Sequence, residues 1–214
     1  MTGVSLSRWT MSYFAAALAT LLLAEGLMAA GYGYPSTSVQ SPQTLVVVHI
    51  VTIGWLSLLM CGALFQFVPV LINRPLSNNF LTMPALLCLL GGLVALLSGF
   101  LWLDGKIKDA LPFFPIAGIL LGLGFALVIW NLARTLISGW PLPLPARFVS
   151  VGLVGISLTT ALGTVFALVR GGVTDNAYLI DLTVQGVPLH ALAGLGGWLT
   201  LSAMGVSYRL FAMF

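Results

Sequence analysis

The chain has 214 residues, 59% of them hydrophobic and only 6% charged, with a mean hydropathy of +1.09 and a net charge of +3. Those values lie outside the range of soluble domains and describe a chain whose solvent is a lipid bilayer. The charges are few and scattered, with no basic run interleaved with aromatics that would track phosphates, so nucleic acid is excluded as a partner.

A hydrocarbon core of about 30 Å takes about 20 apolar residues per helix. In chain order, six runs meet that length: 11–31, 44–72, 80–103, 112–136, 146–170 and 187–214. All six are continuously apolar and rich in Leu, Ala and Gly, without the alternation a lipid-facing barrel strand needs. The sequence therefore predicts an all-α integral membrane protein, one six-helix transmembrane bundle over residues 1–214. The first run has the length of a signal peptide, but Glu25 interrupts it and no A-x-A site follows, so it is expected to be a mature helix.

The second run follows GYPSTSVQSPQ and opens with HIVTIGWLSLLMCGALFQFVPVL from His49; Pro69 is expected to kink or close it. Cys61 in this run and Cys88 in the third read as small packing residues. Without a CxxC or CxxCH spacing they exclude covalent c-type haem and an iron–sulfur cluster from this chain alone. Three connections are short (NRPLSNN, DGKIKDAL and SGWPLPLPAR), whereas GGVTDNAYLIDLTVQG before the sixth run is long. That run begins near His190, in HALAGLGGWLTLSAMGVSYRLFAMF. Arg8, Arg74, Arg134, Arg147 and Arg209 fall on one side of such a bundle, which predicts cytoplasmic N- and C-termini, while Lys106 and Lys108 dissent. Trp9, Trp102 and Trp140 sit at span boundaries as interfacial anchors.

The second and sixth runs repeat one another. Aligned on their Gly-Trp pairs, Gly54 meets Gly197, Trp55 meets Trp198, Ser57 meets Thr200, Gly62 meets Gly205 and Phe65 meets Tyr208. The two histidines, the only ones in the chain, are out of register by two residues, since His190 aligns with Val47. On an α-helix two residues rotate a side chain by about 200°.

A histidine in the outer part of each second helix of a four-helix unit resembles the catalytic subunit of the haem-copper oxygen and nitric oxide reductases. The wording from His49 to Leu71 is similar to the second helix of small relatives of that subunit. The resemblance implies a cytochrome c oxidase subunit I-like half comprising its first six helices, in a bacterial inner membrane, with haem b at His49. In the family pattern the sixth-helix histidine binds copper, but the paired histidines of a seventh helix and those of a tenth are missing here. The chain is then either a reduced relative or one whose site another chain completes.

Neutral imidazoles are good ligands for haem iron, and a bis-histidine b-type haem needs one on each face of the porphyrin. His49 and His190 are therefore the candidate cofactor and metal ligands, for electron transfer or for binding a diatomic gas (O2 or NO). Gly194, Gly197 and Leu201 are expected to leave room for a flat macrocycle beside His190, with Ile53, Leu56, Met60, Ala63 and Phe67 as an apolar wall below His49. Glu25 lies at a similar depth and is read as structural, with a bond to the His49 ring or proton transfer as its alternatives. Helices two and six belong to successive arcs in the oxidase-like arrangement, which predicts an obligate oligomer, most simply a homodimer. Adjacent helices clamping one haem within a monomer is the alternative. A haem-free structural or assembly subunit among other membrane subunits is the competing reading, because Gly-rich faces also serve helix packing.

Overall fold

The computed structural model describes residues 8–108 and 111–211. Among these the regular structure is entirely helical, and six helices are long and apolar enough to cross a membrane. They are α1 (Arg8–Ala29), α2 (Pro42–Ile72), α3 (Asn79–Leu103), α4 (Phe113–Ser138) and α5 (Leu144–Arg170), then, after the short α6 (Ala177–Gln185), α7 (Val187–Phe211). Each span starts and ends within a few residues of the hydropathy runs. Residues 212–214 of the expected sixth run, and Asp109, lie outside the described residues. The short α6 was not expected; Asn176 caps it by accepting from the Tyr178 and Leu179 amides.

Both repeat segments depart from α geometry at matching places. In α2, Pro42–His49 is α-helical, Ile50–Ser57 is π-helical and Leu58–Ile72 is α-helical again. In α7, the π stretch runs Ala193–Thr200. The Gly-Trp alignment puts Ile50 opposite Ala193 and Ser57 opposite Thr200, so the two π stretches coincide in repeat register. A π stretch widens the turn and shifts the side chains that follow it, and such stretches gather at functional sites. The α-helical spacing used to set Leu56, Met60, Ala63 and Phe67 below His49 therefore does not hold across Ile50–Ser57.

α2 packs against α1, α3, α4, α5 and α7, while α3, α4, α5 and α7 pack in sequence around it. The main core joins Tyr13, Leu58, Leu64, Leu89, Val128, Leu132, Ile156 and Trp198. A second core, toward the ends of the spans nearest His49, joins Ala24, Val46, Ile50, Leu96, Phe100, Phe114 and Ala167 from α1 to α5. α7 contributes Trp198, Leu199 and Val206 to the first and none of its residues to the second.

Buried polar groups fix the connections. The Asn131 side chain accepts from the Asn78 amide at 3.0 Å and donates to the Asn78 carbonyl at 2.8 Å, while Thr135 Oγ1 accepts from the Ser77 amide at 2.9 Å. The α2–α3 connection is thereby tied to α4, which satisfies backbone groups that hydrocarbon would leave unpaired. Ser41 caps α2, its Oγ accepting from the Thr44 amide. Gln43 donates to both carboxylate oxygens of Asp104 at 3.2 Å, joining the start of α2 to the end of α3. Beside Asp104, burial and then the carboxylate's charge push the Tyr32 phenol above its ordinary pKa, so it stays neutral at physiological pH.

Candidate haem site between two histidine helices

The antiparallel succession of six spans starts α2 and α7 at the same end of the bundle, so both histidines lie toward that end. α2 and α7 are joined by one bond, Trp198 Nε1 donating to Ser57 Oγ at 3.3 Å, and Trp198 is only 1% exposed. His49 lies eight residues before Ser57, and His190 eight residues before Trp198. Counting the same eight residues back from that bond, through a π stretch on each helix, puts the two imidazoles at similar heights. The offset in the sequence repeat is cancelled in space, because Trp198 pairs with Ser57, two residues beyond its repeat counterpart Trp55.

Each ring is oriented by a backbone carbonyl at Nδ1. His49 Nδ1 meets Leu45 O on its own helix at 2.7 Å, and His190 Nδ1 meets Thr159 O on α5 at 3.0 Å. A carbonyl only accepts, so in the neutral ring the proton sits on Nδ1 and Nε2 keeps a bare lone pair. Neither Nε2 has a hydrogen-bond partner among the described residues. A phenyl ring flanks each imidazole, Phe100 of α3 at 5.2 Å from His49 and Phe166 of α5 at 5.5 Å from His190, centroid to centroid.

Gly163 makes the α5 contact possible. A Cβ there would lie 3.0 Å from His190 Cε1, so a side chain would push the ring away from the Thr159 carbonyl. Thr160, three residues before Gly163 and so on its face of α5, buries a hydroxyl that finds no partner. Above the level of Trp198, Leu189, Leu192 and Leu195 of α7 are all at least 46% exposed, in keeping with the absence of α7 from the second core. The packed lengths of α2 and α7 are Leu58–Ile72 and Leu201–Phe211, so the two helices share a core below the π stretches and leave it unshared at the histidines.

Two features of the site differ from expectation. Gly194 and Gly197 face α5, not a macrocycle: a Cβ on Gly155 would lie 2.7 Å from the Gly197 carbonyl carbon and the Trp198 nitrogen, and one on Gly194 would lie 3.3 Å from Thr159 Cγ2. They serve close helix packing, the ordinary use of small residues in membrane helices. Glu25 is exposed and makes no bond to the His49 ring, whose Nδ1 is taken by Leu45. Thr159, Gly163, Phe100 and Phe166 escaped the sequence reading. Three carry no motif, and the Thr159 contribution is a backbone carbonyl that any residue supplies.

The donor set suits a group that brings its own equatorial ligands. Among the described residues no cluster of three or more His, Cys, Asp or Glu side chains stands ready for a bare metal ion, and a group held by both imidazoles would have two protein donors, the number a b-type haem takes. Two surface cavities lie elsewhere, one of about 320 Å³ between α4 and α5 and one of about 540 Å³ at the opposite end of the bundle. The second and sixth spans meet directly at Ser57 and Trp198. No protein-family model, curated protein or solved structure matches the chain.

Proposed function

We propose that the chain is a b-type haem protein of the membrane, in which His49 and His190 would together hold one haem, and that it transfers electrons. The observation that carries this reading is the pair of imidazoles toward one end of two helices that meet at Trp198 and Ser57, each with Nδ1 tied to a carbonyl and Nε2 bare. Haem would supply a one-electron iron couple, and its being held by two imidazoles, His49 and His190, would favour electron transfer over gas binding. The Leu45 and Thr159 carbonyls hold the rings in the tautomer that ligation needs and raise their basicity. Phe100 and Phe166 restrict ring rotation and keep the surroundings apolar.

The relation to the first half of a haem-copper reductase subunit belongs to the same proposal, supported by the repeat and its matching π stretches. Copper is left out of the proposal, since among the described residues no third His, Cys, Asp or Glu donor groups with the two histidines. As an electron carrier the chain would work between a donor and an acceptor, for which a second copy or other membrane subunits are the proposed partners. We assign the arginine-rich end to the cytoplasmic side of a bacterial inner membrane by the positive-inside rule.

Protein made under haem-replete conditions should carry one haem per chain by pyridine haemochrome assay, with a sharp reduced α-band. Stoichiometric absence of haem, with other subunits persistently co-purifying, would overturn the proposal in favour of a haem-free structural subunit.

A further inference from the structure

We infer that the end of the bundle opposite the histidines holds a binding site for the phosphate of an anionic phospholipid, built from Arg74 and Arg209. The two guanidinium groups come from different elements, the α2–α3 connection and the last turn of α7, yet line one cavity of about 540 Å³. Pro69, Val70, Asn73 and Pro75 complete its wall, and among the described residues no Asp or Glu lines it.

The distribution of charge along the chain makes the absence of a protein counter-ion general to that end. All five acidic residues, Glu25, Asp104, Asp109, Asp175 and Asp181, belong to the histidine end by their place in the spans and connections. Arg8, Arg74, Arg134, Arg147 and Arg209 belong to the other end, which carries +5 against −2 at the histidine end, making up the chain's +3.

Three of those five arginines have partners of another kind. Arg8 lies over the Trp9 ring at 4.3 Å, Arg134 over the Trp130 ring at 5.6 Å, and Arg147 Nε donates to the Leu142 carbonyl at 2.9 Å. Arg74 and Arg209 have no side-chain hydrogen bond or ion pair among the described residues, and they are the two that share a cavity. Planar guanidinium forks match phosphate oxygens, and the leaflet surface brings phosphates to this depth. The apolar flank of Pro69 and Val70 lies along α2, where an acyl chain would run.

The test is lipid retention by the detergent-purified full-length chain, read by native mass spectrometry and by thermal melting. Phosphatidylglycerol, phosphatidylcholine and inorganic phosphate are added in separate arms. The wild type should retain phosphatidylglycerol and melt higher with it, and phosphatidylcholine should be held several-fold less well. The double variant Arg74→Gln/Arg209→Gln should lose at least fivefold in phosphatidylglycerol retention, Arg74→Lys/Arg209→Lys should recover part of it, and Arg134→Gln should behave as the wild type. Circular dichroism of each variant separates loss of the site from loss of the fold. Equal phosphatidylglycerol retention by the wild type and a folded double-Gln variant overturns the inference. Equal stabilisation by inorganic phosphate overturns the lipid as the source of the phosphate.

Discussion

α2 and α7 start from the same design and end with different dependences. Both carry a histidine in the first turns, then a π stretch centred on a Gly-Trp pair, then an α-helical tail. In α2 the imidazole is oriented by its own helix, through Leu45 O, whereas in α7 it is oriented by a neighbour, through Thr159 O of α5. α2 sits centrally among α1, α3, α4, α5 and α7, while α7 leans on α5 along its length and on α2 only below the histidines. One ligand is thus set by local helix geometry, and the other by the fit of two helices.

That difference predicts unequal sensitivity to packing changes. Gly155→Ala should have the largest effect, because its methyl would meet the Gly197 and Trp198 backbone at 2.7 Å, where no side chain can swing aside. A loss of about 3 kcal/mol is expected, at the upper end for overpacking, together with loss of haem. The counterpart Gly54→Ala in α2 meets only the Thr20 and Leu93 side chains, at 2.9–3.0 Å. It should cost about 1.5 kcal/mol and leave haem in place. Thermal melts followed at the Soret band check both, and equal losses would mean that α7 is no more dependent on its neighbour than α2.

A subtler break is Gly163→Ala, which crowds His190 off the Thr159 carbonyl without touching His49. Haem affinity should fall about tenfold, as for other losses of a group that orients a metal ligand, with little change in helix content. Competition with apomyoglobin gives the number. Smaller still, Trp198→Phe removes the 3.3 Å bond to Ser57 that levels the two histidines while keeping the aromatic bulk. About 1 kcal/mol of stability should be lost, with a broadened low-spin EPR signal as the two rings lose their common height. An unchanged signal would mean that the wider packing of α7 on α5 sets the height alone.

The sequence made the spans legible because twenty apolar residues in a row have few other uses, and Gly-Trp matching made the second and sixth spans legible as relatives. The two histidines stood out because polar rings in apolar runs are rare. What single positions did not reveal was geometry produced by pairs of helices. The π stretches insert turns that α-helical counting cannot follow, so the wall assigned below His49 was drawn on the wrong period. The two-residue misregister turns one imidazole by about 200° relative to the other on ideal α-helices, whereas the Trp198–Ser57 bond joins α7 to α2 with an offset of the same two residues. Gly194 and Gly197 fitted a ligand cavity and a helix contact equally well by composition, and only the closeness of Gly155 separates the two uses.

The central claim is that one haem is held by both histidines of one chain, and its most direct test is the axial coordination of wild type and single variants. Resonance Raman and EPR spectra of the monodisperse single chain should show six-coordinate low-spin haem. His49→Ala and His190→Ala should each convert it to a five-coordinate species. If either variant keeps the wild-type low-spin spectrum, the two imidazoles do not share an iron and the account is wrong.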